Sequence, residues 1–336
     1  MSPERRRGLV RLAILLGSAV GLVVIAHGVV SGSSGAGGEG GLSGRAKASG
    51  SAPPSKLTAT MGRLRLPQAL HGIAVAGSPR GPIVVGGEDS GGASSDRVYR
   101  LDPAGGQVVP DGTLAEPLHD AAASALSGRT LVFGGGNTST LNLVQALQPG
   151  GQASRVGQLP APLSDLSAVP LAGAVYVLGG YDGSTPSAAV YQTTDGHSFV
   201  RVAHLPTAIR YTALATIGDK IYAFGGELAD GSETDEIQEY DIGTERAVVA
   251  GHLPQALSHA SAVTLDGAIY LLGGRVNGSA SDRIWRFDPA RGAVAPAGRL
   301  PQPTFDGAAG LFQGRAYLIG GVGSGDQSLS SVIELR

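Results

Sequence analysis

At one register of this chain, side chains able to hold a metal, move a proton or bind a charged group recur at nearly even intervals. Five and six residues beyond Leu66, Leu114, Leu159, Leu205, Leu253 and Leu300 stand His71-Gly72, His119-Asp120, Ser164-Asp165, Arg210-Tyr211, Ser258-His259 and Phe305-Asp306. A second set follows six glycine pairs: Glu88-Asp89, Asn137, Tyr181-Asp182, Glu227, Arg275 and Val322. Imidazole is the commonest metal-ligand type, so His71, His119 and His259 are the first residues to weigh. A carboxylate beside a guanidinium, Glu227 and Arg210 with Tyr211 adjacent, could pass a proton between oxygens, as the opening of a sugar ring requires. The same pair standing in solvent would be an ion pair of ~0–1 kcal/mol with no functional consequence. The residues flanking this register are Ala, Leu and Val, so the polarity is local.

Much chemistry is excluded at once. The 336 residues include no cysteine, which removes disulfides, thiolate nucleophiles and Cys-ligated zinc. No nucleophile elbow, phosphate loop, zinc-protease motif or calcium loop is present. The net charge is −2. Arg5, Arg6, Arg7 and Arg11 against Glu4 leave the first eleven residues at +3 and the remainder at −5. A mildly acidic body is the wrong sign for nucleic acid.

The elements that must position these residues announce themselves as a repeat. The first glycines of the pairs are Gly86, Gly134, Gly179, Gly225, Gly273 and Gly320, and each lies 20 residues beyond its leucine. The strand before each pair is apolar without alternation, as in AIYLLGG (268–274) and AVYVLGG (174–180). A two-sided apolar strand is one packed on both faces, and the paired glycines allow the chain to leave that crowded strand. Each unit reads as a short apolar strand, a turn carrying Gly128, Gly173, Gly267 or Gly314, the strand into the glycine pair, and a polar loop. A third strand such as RIWRFDP (283–289) and a fourth such as RAVVAGHLP (246–254) complete it. Four short antiparallel strands repeated every 45–48 residues predict a β-propeller of six blades. The sixth unit stops at its third strand, SSVIELR (330–336), and KLTATMGRLRLP (56–67) supplies the missing fourth. Such closure removes two open sheet edges.

Ahead of the propeller, the basic start and LAILLGSAVGLVVIA (12–26), prolonged to Val30, have the form of an export signal. Residues 1–30 are expected to be a retained transmembrane anchor, with cleavage after VIA the alternative reading. The propeller would then lie outside the plasma membrane, single-pass with its N-terminus cytoplasmic, or be secreted. Residues 31–55 are Gly, Ser, Ala or Pro at 21 of 25 positions and are expected to be a flexible tether, its ends roughly 25–30 Å apart. Residues 56–336 form the propeller domain.

The glycine pairs, the Leu-Pro lead-in and the hydrophobic–Asp turns at Leu101-Asp102, Tyr240-Asp241 and Phe287-Asp288 resemble the Kelch-repeat propellers. That family includes oxidases, sugar epimerases and protein-binding adaptors. The resemblance implies that the lead-in and post-glycine loops share one face around a central channel. It brings together a candidate binding set of His71, His119, Asn137, Asp165, Tyr181, Arg210, Tyr211, Glu227, His259, Arg275 and Asp306. Histidines on opposite sides of a channel cannot share one tetrahedral ion, so neither metal nor other cofactor is expected. The family's copper radical oxidases need a Tyr–Cys crosslink, which this chain cannot make. Its exported six-bladed members include a sialic acid epimerase thought to use carboxylate and arginine, which here would be Glu227 and Arg210. The reading favoured by the sequence is a tethered module that binds protein or glycan. A sugar mutarotase and a ligand-free spacer are the alternatives.

Overall fold

The computed structural model describes residues 56–336; the expected anchor and tether lie outside the described residues. Every regular element described is a strand, and the strands assemble into six blade sheets and one small two-stranded sheet. Blade one comprises Ala74–Ala76, Ile83–Val85, Ser95–Asp102 and Gln107–Leu118. Blade two comprises Ala122–Leu126, Arg129–Phe133, Leu143–Ala146 and Ser154–Gln158. Blade three runs through Ser164–Leu171, Ala174–Tyr181, Ser187–Thr193 and Val200–Ile209. Blade four has Ala213–Ile217, Lys220–Phe224, Glu236–Asp241 and Arg246–His252. Blade five has Ser261–Leu265, Ala268–Leu272, Arg283–Asp288 and Ala293–Arg299. Blade six is Ala308–Phe312, Arg315–Ile319 and Ser331–Leu335, closed by Ala59–Arg65. The closing strand pairs antiparallel, Ala59 with Leu335 and Met61 with Ile333, as the spacing predicts. The first strands of consecutive blades touch around a closed circle, from blade one through blade six and back.

Two elements were not anticipated. Gly151–Gln152 adds a short parallel strand outside blade one, against Gly112 and Thr113. Arg275–Val276 and Ser279–Ala280 form a small hairpin beyond the glycine pair of blade five.

The apolar residues separate into six clusters, one between each pair of neighbouring blades. Blade five shows why its inner strand lacks alternation. Ala268, Tyr270 and Leu272 pack toward blade six, whereas Ile269 and Leu271 pack toward blade four. Successive side chains still point to opposite faces, but both faces are core. Each such side chain contributes about 1.5–3 kcal/mol of burial.

The glycine pair also carries an inter-blade hydrogen bond. Gly273 has φ +63°, and a Cβ there would stand 2.1 Å from the Thr304 carbonyl oxygen. That oxygen accepts the Gly274 amide at 2.9 Å. The acceptor residue recurs four beyond each lead-in leucine, as Leu70, Leu118, Leu163, Ile209, Leu257 and Thr304, all buried. In blades two, three, five and six the first and second strands are joined by two-residue turns with both φ angles positive, such as Ser127-Gly128 and Asp266-Gly267, the form that matches strand twist.

Candidate functional site

The lead-in and post-glycine loops are joined backbone to backbone in every blade. His71 bridges Glu88, His119 bridges Gly136, Arg210 bridges Glu227, Ser258 bridges Arg275 and Phe305 bridges Val322. Each is a reciprocal pair of hydrogen bonds of 2.7–3.1 Å, and Ser164 pairs with Tyr181 at the matching place in blade three. A third residue, on the returning arm of the post-glycine loop, joins in five blades: Ser94, Thr140, Pro186, Glu233 and Ser328.

The next residue along each lead-in builds a second tier. Gly72, Asp120, Asp165, Tyr211, His259 and Asp306 all adopt φ between +50° and +58°. Each amide donates to the carbonyl of the equivalent residue one blade earlier, and Gly72 closes onto Asp306, giving a ring of six bonds of 2.8–3.1 Å. Left-handed backbone is unfavourable for residues with a Cβ; here the closed ring holds it in all six blades. Position 72 must be glycine for a further reason, since a Cβ there would come within 2.5 Å of the Asp120 carboxylate.

Above this ring two charge networks form. His71 and His119 flank Glu88 at 3.8 and 3.4 Å, and their Nδ1 atoms meet Ser328 Oγ at 3.2 Å and Ser94 Oγ at 2.8 Å. On the other side, Glu227 is 5% exposed and accepts from Arg210 through Oε1 and from Arg275 through Oε2. Arg210 also reaches Asp165 at 3.4 Å and lies over the Tyr181 ring at 4.6 Å. Arg275 is held on its far side by Glu233 at 3.2 Å.

Inside the ring lies the central channel, a cavity of about 170 Å³, or about 790 Å³ with the open space at its ends. The six ring residues and the first strands line it. Tyr211 and His259 stack at 3.7 Å, and the Tyr211 hydroxyl donates to Asp120 at 3.4 Å. Burial pushes the Asp120 carboxyl well above the usual carboxylate range, and the charges of Asp306 and Asp165 add to it. Asp120 keeps 17% of its side-chain surface and lines the channel. Burial likewise raises Asp165 and pushes Asp306 up to about 6. It holds His259 down to about 3, with Arg275 and Arg210 acting in the same direction, so its imidazole is neutral at physiological pH. The Tyr211 phenol is raised by burial and by the neighbouring carboxylates.

Of the expected binding residues, Arg210, Glu227, Arg275, Tyr181 and Asp165 meet in one network, and His71 and His119 in another. Tyr211, His259 and Asp306 join Asp165 in the channel wall. Asn137 stands apart: Gly136 occupies its expected bridge, and its amide reaches toward Glu116 and Pro117 at 3.5 and 3.4 Å. Glu88 and Asp120 stood at the repeating positions in the sequence but outside the expected set. Glu233 was missed, because the loop before it varies in length and offers no constant spacing. Among the described residues, no group of three or more His, Asp or Glu side chains is arranged to hold a metal ion.

Comparison with known proteins agrees with this architecture. The Kelch motif family matches residues 256–293, which span the first three strands of blade five and the residues just before them. A Kelch-like protein, terF, of Aspergillus terreus is 41% identical over 66 residues, 18% of this chain and 14% of that protein. Human Kelch-like protein 34 is 32% identical over 80 residues, 24% of this chain and 12% of its own length. The matched segments are thus a small part of either relative. Among solved structures, that of YjhT superimposes with a TM-score of 0.72 at 15% identity, covering 81% of this chain and 99% of that one. With glycine pairs, hydrophobic–Asp turns and six four-stranded blades in place, the chain is a six-bladed β-propeller that carries a Kelch motif in its fifth blade.

Proposed function

We propose that this propeller is a protein-interaction module that engages its partner through the face carrying the lead-in and post-glycine loops. The observation that carries the reading is the Arg210–Glu227–Arg275–Glu233 network. Two guanidinium groups are fixed side by side by buried carboxylates, with 25% and 27% of their side-chain surface still facing out. Arginine and tyrosine held rigidly in this way are the residue types that dominate protein interfaces. Residues 1–30 anchor the chain in the plasma membrane and 31–55 space the propeller from it, on the outer side.

Two observations weigh against the alternatives. Both Glu227 oxygens are occupied by guanidinium N–H groups, whereas a general base must be free to bond the proton it removes. The channel is a cavity rather than a plug of side chains, which removes the main argument for an inert spacer. The test is affinity capture from the native membrane fraction with full-length bait. Tyr181→Ala combined with Arg275→Gln is expected to lose the captured protein. Retention of the same partner at equal yield places the interface elsewhere, and capture relieved by free glycans makes the ligand a sugar chain.

A further inference from the structure

The channel beneath the mouth has a chemistry of its own. Three of the six ring positions are aspartates, and they converge on one cavity. Their partners are few. Asp165 has the Arg210 guanidinium at 3.4 Å, and the Ser164 and Tyr211 side chains also donate to it. Asp120 has one phenol hydroxyl at 3.4 Å and the His119 ring at 4.0 Å. Asp306 is half-buried in the channel wall and has no side-chain hydrogen bond or ion pair among the described residues; the nearby His71 and the Gly72 amide favour its carboxylate. Gly72 itself leaves the sixth position without a side chain, between Asp306 and Asp120 in the ring order. Below the ring the wall is built mainly of small residues, Ala122, Ala168, Ala213, Ala260 and Ala308 among them, with Ser167, Thr212 and Ser261 interspersed.

Three carboxyl groups at the head of a narrow tube walled mainly by small residues define the complementary ligand. It is positively charged, carries several N–H donors, and continues into an unbranched apolar stem. A bare metal ion does not suit, because the carboxylates are spread around a ring rather than gathered within bonding distance. A whole sugar or drug-sized molecule does not suit either: about 170 Å³ is below the ~300–1,000 Å³ of such sites. An alkyl ammonium fits both limits. Low-dielectric walls also focus the field of the carboxylates along the channel.

We propose that the central channel is a binding site for a primary ammonium on an unbranched alkyl stem, held by Asp120, Asp165 and Asp306. The source is a free alkylamine or the lysine side chain of a protein. Only the lysine source rests on the protein-interaction reading; the site itself does not.

The experiment is calorimetric titration of the purified full-length protein at neutral pH with n-pentylamine, 1-pentanol and N-acetyl-lysine methylamide. Saturable binding of n-pentylamine, with none of 1-pentanol, is expected. Asp306→Asn and Asp120→Asn, isosteric and uncharged, are each expected to weaken the amine by more than about 10-fold, as loss of a buried charge partner does. Comparable binding of the lysine compound assigns the site to a protein side chain, and binding of n-pentylamine alone assigns it to a free amine. The proposal is overturned if the alcohol binds as well as the amine, if no amine saturates, or if both Asn variants bind the amine like the parent protein. The amine-to-alcohol comparison needs no variant, so it stands even where a substitution disturbs folding. A loss of capture at the mouth in the Tyr181 and Arg275 variant leaves this result untouched.

Discussion

Replacing Asp306 by Asn should make the protein more stable at neutral pH and leave it unchanged in acid. The reasoning is one of proton linkage. In the unfolded chain this carboxyl ionises near 3.8, whereas in the channel wall burial raises it to about 6. Between those values the unfolded chain gives up a proton that the native state keeps, so stability falls as pH rises through the window. Below about 4 both states are protonated and there is no difference. Above about 6 the full penalty is present, and at 1.36 kcal/mol per pH unit it is on the order of 3 kcal/mol. Asparagine has the same shape and no charge to strip of water, so it removes that penalty. It also relieves Asp120, whose ionised form the Asp306 charge disfavours. The assay is urea unfolding of parent and variant at a series of pH values from about 4 to 8. The variant's advantage should be near zero at the acid end and grow to roughly 2–3 kcal/mol at the alkaline end. An advantage that does not vary with pH, or a variant less stable than its parent at neutral pH, refutes the linkage. Because the same substitution should weaken amine binding, stability and ligand recognition are expected to move in opposite directions.

Two further perturbations probe the scaffold. Gly273→Ala places a methyl 2.1 Å from a carbonyl oxygen at φ +63° and should cost more than about 3 kcal/mol in a denaturant melt. Gly106→Ala, at φ +67° with open space around it, should cost only the backbone term of roughly 1–2 kcal/mol. Deleting residues 56–65 strips blade six of its outer strand and should produce a broad, non-cooperative thermal transition with association in sedimentation. A sharp transition at the parent temperature would show that the closing strand is dispensable.

The fold was legible because its signals are periodic. The lead-in leucines, the glycine pairs and the turn glycines occupy positions that the geometry dictates identically six times, so spacing alone located the blades and the closing strand. That lead-in and post-glycine loops share one face was what the Kelch resemblance implied, and the structure joins them by paired backbone bonds. What stayed hidden depends on direction rather than position. Nothing in the sequence says that residues 120, 165 and 306 would be held in left-handed backbone around one channel; at 119 and 120 either side chain looks suited, and the histidine was the one expected. Glu233 was invisible for a different reason: its bridge to Glu227 spans a loop whose length changes from blade to blade. The short outer strand at Gly151–Gln152 depends on Gly112 admitting a second backbone, with a Cβ position 2.3 Å from the Gly151 oxygen. A lone glycine in a long strand does not announce that contact.

The pairing of Ala59–Arg65 with Ser331–Leu335 also sets an order of events during synthesis. A ribosome must deliver residue 335 before the earliest strand of the propeller finds its neighbour. Until then the nascent chain carries two unpartnered borders, one on blade one and one on blade five. Such borders attract other chains, so the interval before ring closure is when this protein depends most on chaperones.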